Sequence, residues 1–279
     1  MNFFAVRSFD HGGFYETRLV LMVAALLVSL YFLRFQRDPR YVFMFTSGAV
    51  FQALLEAIYS YLGFRAVDHS ILIFGLKLED TSKVLIQGLT EGGVLGVMSF
   101  WFADLLSDPE RRKQTQEAFV LVCAVIVGMS VVVGIQSSGA PVTAARPMFG
   151  PYAVVVLLIG MAAGAELGTM REGGKRALLY FGCGLMLYSV LTFAPLNIAG
   201  AQFMGPKGAA GGFSPAQLPF QILLSLWTHV IEDGAGKLHY FAIPFCFGMV
   251  ELRNRNREPD EPVQDLLEQS YRSSVASSW

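Results

Sequence analysis

The sequence predicts an all-α polytopic membrane protein, a bundle of seven transmembrane helices. Three observations carry that prediction. Of 279 residues, 53% are hydrophobic and 15% are charged, against about 25% charged in an ordinary soluble chain. The mean hydropathy is +0.47, and the apolar residues gather into runs of the roughly 20 residues that cross a bilayer. Basic residues, in turn, cluster after every second run.

The first run, Tyr15–Phe35, is followed by Arg34, Arg37 and Arg40. That basic stop, with no small-residue cleavage site, marks a retained span and not a secretory signal. Tyr41–Phe64 and Thr81–Leu106 follow, the latter closed by Arg111, Arg112 and Lys113. Ala118–Ile135 returns across the membrane, and Phe149–Met170 ends at Arg171, Lys175 and Arg176. Ala177–Ile198 is sixth; Pro219–Leu252 is seventh and precedes Arg253, Arg255 and Arg257. The positive-inside rule places these four clusters in the cytoplasm, with the N-terminus outside and the C-terminus inside. The last run has room for one tilted helix extending past the bilayer, or for a surface segment and a shorter span.

Residues 1–14 are thus expected to form an extracellular segment, 15–252 the membrane domain and 253–279 an acidic, serine-rich, disordered cytoplasmic tail. Ala199–Ala216 and Gln136–Pro147 read as outer connections of small residues. The expected location is the cell membrane, with the lipid bilayer as the first partner. The net charge of −1 identifies no other partner, and nucleic-acid binding is not expected. No fused output domain is read, so any signal is expected to pass to a separate signalling partner; a homo-oligomer is left open. Cys123, Cys183 and Cys246 lie inside apolar runs, with neither disulfide nor metal spacing.

Charge inside the spans narrows the function. Lys237 lies in the seventh run with Asp233 four residues earlier, on the same face of a helix. A lysine at bilayer depth must be paired, neutral or covalently modified. His229, Asp233 and Lys237 fall at i, i+4 and i+8, one ladder, with Glu232 and His239 on a neighbouring stripe. Glu56 in the second span and Glu91 in the third are further carboxylate partners for a buried cation. Polar side chains in spans also act as glue between helices, worth about 1 kcal/mol each. A buried ion pair is a poor way to gain stability, which singles out Asp233 and Lys237. Glu79, Asp80 and Lys83 read as a solvated rim; Asp104 and Glu166 read as snorkelling or interfacial groups. Gly92, Gly93, Gly234 and Gly236 read as points of close approach by a backbone or a bulky ligand.

Seven spans, an outside N-terminus and the pattern Asp233-Gly-Ala-Gly-Lys237 resemble the microbial (type 1) rhodopsins. The aromatic and small residues of Leu238–Gly248, and the aromatic- and proline-bearing sixth run ahead of a glycine-rich loop, are similar to that family's last two helices. The resemblance implies a covalent all-trans retinal on Lys237 as a protonated Schiff base. It implies Asp233 and Glu91 as counterions, and Glu56, Glu232, His229, Tyr188, Phe193 and Tyr240 as pocket residues. The chain departs from the family in its third span, which offers Lys83, Gln87, Thr90 and Glu91 and no proline. Its tryptophans are Trp101, Trp227 and Trp279, without the pair that clamps retinal between spans three and six. These departures favour a photosensor or an atypical light-driven ion transporter over a standard outward pump, and no catalytic site is expected.

Two other classes fit the same residues. One is an intramembrane lipid-processing enzyme using Glu56, Glu91 and Asp233 as general acids. The other is a 3+1+3 solute transporter, in which Glu79–Lys83 and Glu232–Lys237 mark equivalent places in spans three and seven.

Overall fold

The computed structural model describes residues 2–6, 13–62, 71–137, 151–199, 202–206, 214–215 and 217–252. The tail expected at 253–279, most of the 136–147 connection and parts of the 199–216 loop lie outside the described residues.

The chain is mostly helical, an all-α membrane protein with small strand additions. Helices α1 (Phe14–Phe35) and α2 (Arg40–Tyr61) meet in a tight turn where Arg37 has φ +52°. A two-stranded hairpin, β2 (Leu72–Ile73) and β3 (Leu76–Lys77), turns at Gly75 with φ +78°. The third run is helix α3 (Asp80–Gln87), a π-helical segment at Gly88–Gly93, and α4 (Val94–Ser107). Helices α5 (Pro109–Ser137), α6 (Pro151–Thr169) and α7 (Glu172–Ile198) follow. The last run is α8 (Leu218–Leu226), a second π-helical segment at Trp227–Ala235, a turn, and α9 (His239–Cys246).

Among the described residues, five helices are long and apolar enough to cross a membrane: Phe14–Phe35, Arg40–Tyr61, Thr81–Ser107, Pro109–Gln136 and Glu172–Ile198. Helix α6 contributes a shorter apolar stretch, Ala153–Thr169. The outward faces are apolar. Val20, Val23, Leu27 and Leu30 on α1 are exposed, as are Val120, Leu121, Val125 and Ile135 on α5. Such faces suit lipid, which needs no polar covering.

The N-terminal segment and the connection between α7 and α8 also carry strand structure that composition did not announce. Strand β1 (Asn2–Val6) pairs antiparallel with β4 (Gln202–Pro206), which pairs with β5 (Ser214–Pro215). Backbone pairing of this kind needs no hydrophobic period, which is why segments read as loops form strands.

Helix α2 lies against the third run at near-backbone contact. Gly88, Gly92 and Gly96 recur every four residues and face Ala49, Gly48 and Met44; a Cβ on Gly88 would sit 2.6 Å from the Ala49 carbonyl oxygen. Gly48 and Gly92 face each other backbone to backbone. Helix α7 meets α4 in the same way, with a Cβ on Gly184 falling 2.5 Å from the Ser99 carbonyl oxygen. Small residues let helices approach this closely where no hydrophobic effect drives them together. The close-approach role expected for Gly92 is thus met by a helix backbone, while Gly93 packs under the Phe45 ring.

One end of the bundle is closed by buried charges. Arg40 donates to Asp38 at 2.6 and 2.8 Å and lies 3.3 Å from Asp104. Arg111 reaches Asp38 at 3.0 Å and Asp104 at 3.1 Å, and the Tyr41 hydroxyl donates to Asp104 at 3.0 Å. Arg40 also donates to the Glu251 carbonyl at 2.5 Å, and Arg111 stacks over Phe32. Asp104 is therefore no snorkelling or interfacial group: it is 0% exposed, held by cations from the α1–α2 turn and the start of α5. At the opposite end, the Phe74 amide donates to Glu16 at 2.6 Å, and β1 pairs with β4.

Candidate functional site

Lys237 sits in the turn between the second π-helical segment and α9. Its ammonium lies 2.6 Å from Asp233 Oδ1, with the side chains 14% and 5% exposed. The expected straight ladder is corrected in one respect: Trp227–Ala235 is π-helical, so its turns hold more residues than the 3.6 of an α-helix. The contact between Asp233 and Lys237 survives because the chain leaves the π segment in a turn.

Asp233 and His229 are joined through a residue on another helix. Ser189 of α7 donates to Asp233 Oδ2, and its oxygen lies 2.7 Å from His229 Nδ1. The sequence reading missed Ser189: a serine in an apolar helix carries no signal until its neighbours are known. Close packing brings it in, since the segment's Gly234 lies against Met186 of α7.

Two further clusters hold the other expected residues. Tyr240, fully buried, donates to Gln52 at 2.6 Å, and Gln52 donates to Glu56 at 2.9 Å. Gln52 precedes Glu56 by four residues on α2, a spacing that could have exposed the pair. The Tyr240 carbonyl accepts from Ser47 at 2.7 Å, which ties α9 to α2. Tyr188 and Phe193 flank Arg18. Arg18 is 2% exposed, donates to the Tyr188 hydroxyl at 2.7 Å and lies over the Phe14, Tyr188 and Phe193 rings. Its signal was an arginine near the start of a run that turns apolar directly after it.

Glu91 lies in the first π-helical segment. It forms no ion pair with Lys237, whose carboxylate partner is Asp233. Glu91 instead acts electrostatically on Tyr188 and Tyr240, and Lys237 acts on the same two tyrosines. Glu56 acts on Tyr240, and Glu232 on Lys237 and His229. The three clusters are therefore one electrostatic neighbourhood spanning α2, the third run, α7 and the last run, with Lys237–Asp233 at its centre.

The arrangement can stabilise one buried positive charge, exchange a proton between a carboxylate and an amine, or attach a carbonyl compound at the lysine. An aldehyde such as retinal fits this donor set: an amine to bond it, a carboxylate beside that amine, and aromatic Tyr188 and Tyr240 nearby. No family model, no curated protein and no solved structure matches the chain.

Proposed function

We propose that the chain crosses the membrane seven times, with the N-terminus outside, and is a light-responsive protein that holds retinal on Lys237. The topology is supported by contacts at the two ends. Residues before α1, between α2 and α3 and between α7 and α8 meet at one end; the α1–α2 turn, the α4–α5 junction and Glu251 meet at the other. Basic clusters flank the second of these ends, as the cytoplasmic side requires.

The functional reading rests on the ion pair of Lys237 and Asp233. Retinal supplies light absorption and an isomerisation that displaces charge at its bond to the lysine. Asp233 holds a positive charge at Nζ, and Ser189 fixes the carboxylate by donating to its second oxygen. Glu91 and Glu56 lower the potential around Tyr188 and Tyr240 without touching the lysine. A displacement at Nζ therefore acts first on Asp233, then through Ser189 on α7. Those residues suit a photosensor or an atypical light-driven ion transporter.

The test is a visible spectrum of the protein expressed with all-trans retinal, repeated with Lys237→Ala. A visible band in the parent that disappears in the variant is expected. No band in the parent, or a band that survives the substitution, overturns the reading.

A second reading, the 3+1+3 solute transporter, is favoured by one observation. Of the described helical runs, the third and the last are broken by π-helical segments, and each break carries acids: Glu91 in one, Glu232 and Asp233 in the other. Broken helices at equivalent places in two halves are the form of a substrate site at bilayer depth. Solute uptake that depends on Asp233, in protein without pigment, would select this reading.

A further inference from the structure

The hydrogen bonds around Ser189 have a direction. A serine hydroxyl owns one proton, and Ser189 donates it to Asp233 Oδ2. Toward His229 Nδ1, 2.7 Å away, its oxygen is therefore the acceptor, and Nδ1 carries the hydrogen. In a neutral imidazole the other nitrogen is then a bare lone pair. That nitrogen, His229 Nε2, is buried and has no hydrogen-bond partner among the described residues. The His229 residue is 7% exposed, Asp233 4% and Ser189 0%. Asp233 and Glu232 are the charged groups that act on the ring; α6, α7 and α8, packed against this segment, add no further charge to it among the described residues.

We propose that His229, Ser189 and Asp233 form a proton relay that ends at the Lys237 ion pair. A proton reaching His229 Nε2 binds its lone pair. The Nδ1–H bond breaks and that hydrogen passes to Ser189 Oγ. The original Ser189 O–H bond breaks and its hydrogen passes to Asp233 Oδ2. One proton has been taken up at Nε2 and one bound at Asp233, and the ring is neutral again in its other tautomer. Asp233 has lost its charge, so Lys237 loses its counter-charge. Transfer in the reverse direction restores the starting state. The relay makes the ion pair responsive to protons arriving at His229, and it needs only the pair itself, whatever Lys237 carries. Ser189 is a proton-transferring residue here, and His229 the terminal that takes up the proton.

Two measurements on the full chain in lipid vesicles, prepared without retinal, test it. In protein labelled with nitrogen-15 at histidine, the signal removed by His229→Gln should be protonated at Nδ1 and bare at Nε2. Ser189→Ala should move that proton to Nε2. In an acid pH jump followed by infrared absorption, the protonated-carboxyl band removed by Asp233→Asn should rise at least about tenfold more slowly in Ser189→Ala and His229→Gln. Ser189→Thr, which keeps the hydroxyl, should restore the rate. A parent protein with the hydrogen on Nε2, or an unchanged rate in Ser189→Ala, overturns the relay. A missing visible band in the retinal experiment leaves both outcomes standing, so the two proposals fail separately.

Discussion

Lys237 and Asp233 show how a single residue can be expensive alone and inexpensive in company. The ammonium and carboxylate lie 2.6 Å apart, and the carboxylate's second oxygen is held by Ser189. Removing one partner strands the other charge in the bundle, at a cost of about 3–5 kcal/mol. Asp233→Asn should therefore lower stability by that order in a denaturant titration of the solubilised protein. Removing both, as Asp233→Asn with Lys237→Met, should recover most of the loss, because no charge is then left without its partner in the bundle. Additive losses in that cycle would mean the two charges are not coupled. Arg18 is a different case, a cation met by the Tyr188 hydroxyl and three aromatic rings. Cation–π contact desolvated in this way is worth about 2 kcal/mol, so part of its burial cost is offset without a carboxylate.

Helix α2 and the third run depend on what is missing from their side chains. Gly48 meets Gly92 backbone to backbone, and Gly88 and Gly96 repeat the contact one turn away on either side. Gly92→Leu has nowhere to go, since its Cβ would meet the Gly48 carbonyl and the Gln52 side chain. Separating the two helices would also disturb the Gln52–Glu56–Tyr240 chain. The expected outcome is failure to accumulate folded protein, read by expression level and by gel filtration. Gly164→Leu on α6 is the matching control: a Cβ there meets nothing within 4 Å, and the folded yield should stay at the parent level. The π-helical segments belong to this scale too. Each changes the register along its run, and Glu91 lies in one and Asp233 in the other.

At the scale of the whole molecule, one end is fastened by two arginines shared between two aspartates. Burial pushes the Asp38 carboxyl up, but the hydrogen bonds and charge of Arg40, with Arg111 beside them, outweigh it and hold the group below its ordinary value of 3.8. A depressed folded-state value stabilises the fold at every pH above the unfolded value. That contribution is lost as pH falls below about 3.8 through the lower folded value. The Asp38 contribution to the midpoint of thermal unfolding should thus be constant from neutral pH down to the carboxylate range and fall below it. Asp38→Asn should lower the neutral plateau and remove part of the acid-dependent fall. Arg111→Ala should cost about 3–5 kcal/mol, because both aspartates lose a partner in a dry site. An unchanged melting midpoint for Arg111→Ala would show that Arg40 alone balances the two carboxylates.

The sequence by itself determined the solvent and the cast of charges. Apolar runs of bilayer length follow from composition alone, because lipid demands them of any spanning helix. The four-residue spacing of Asp233 and Lys237 survived as a contact, since the chain leaves the π-helical segment in a turn that brings the two together. The tertiary structure decided everything that depends on a second helix. Ser189, Gln52 and Arg18 became site residues only when α7, α2 and α1 brought them to their partners. Asp104 changed from a membrane-edge acid to the centre of an ion network because Arg40 and Arg111, 64 and 7 residues away, converge on it. Local periodicity reports which face of a helix is apolar; it holds no information on which other helix that face will meet, and the contacts of Ser189, Gln52, Arg18 and Asp104 all depend on that meeting.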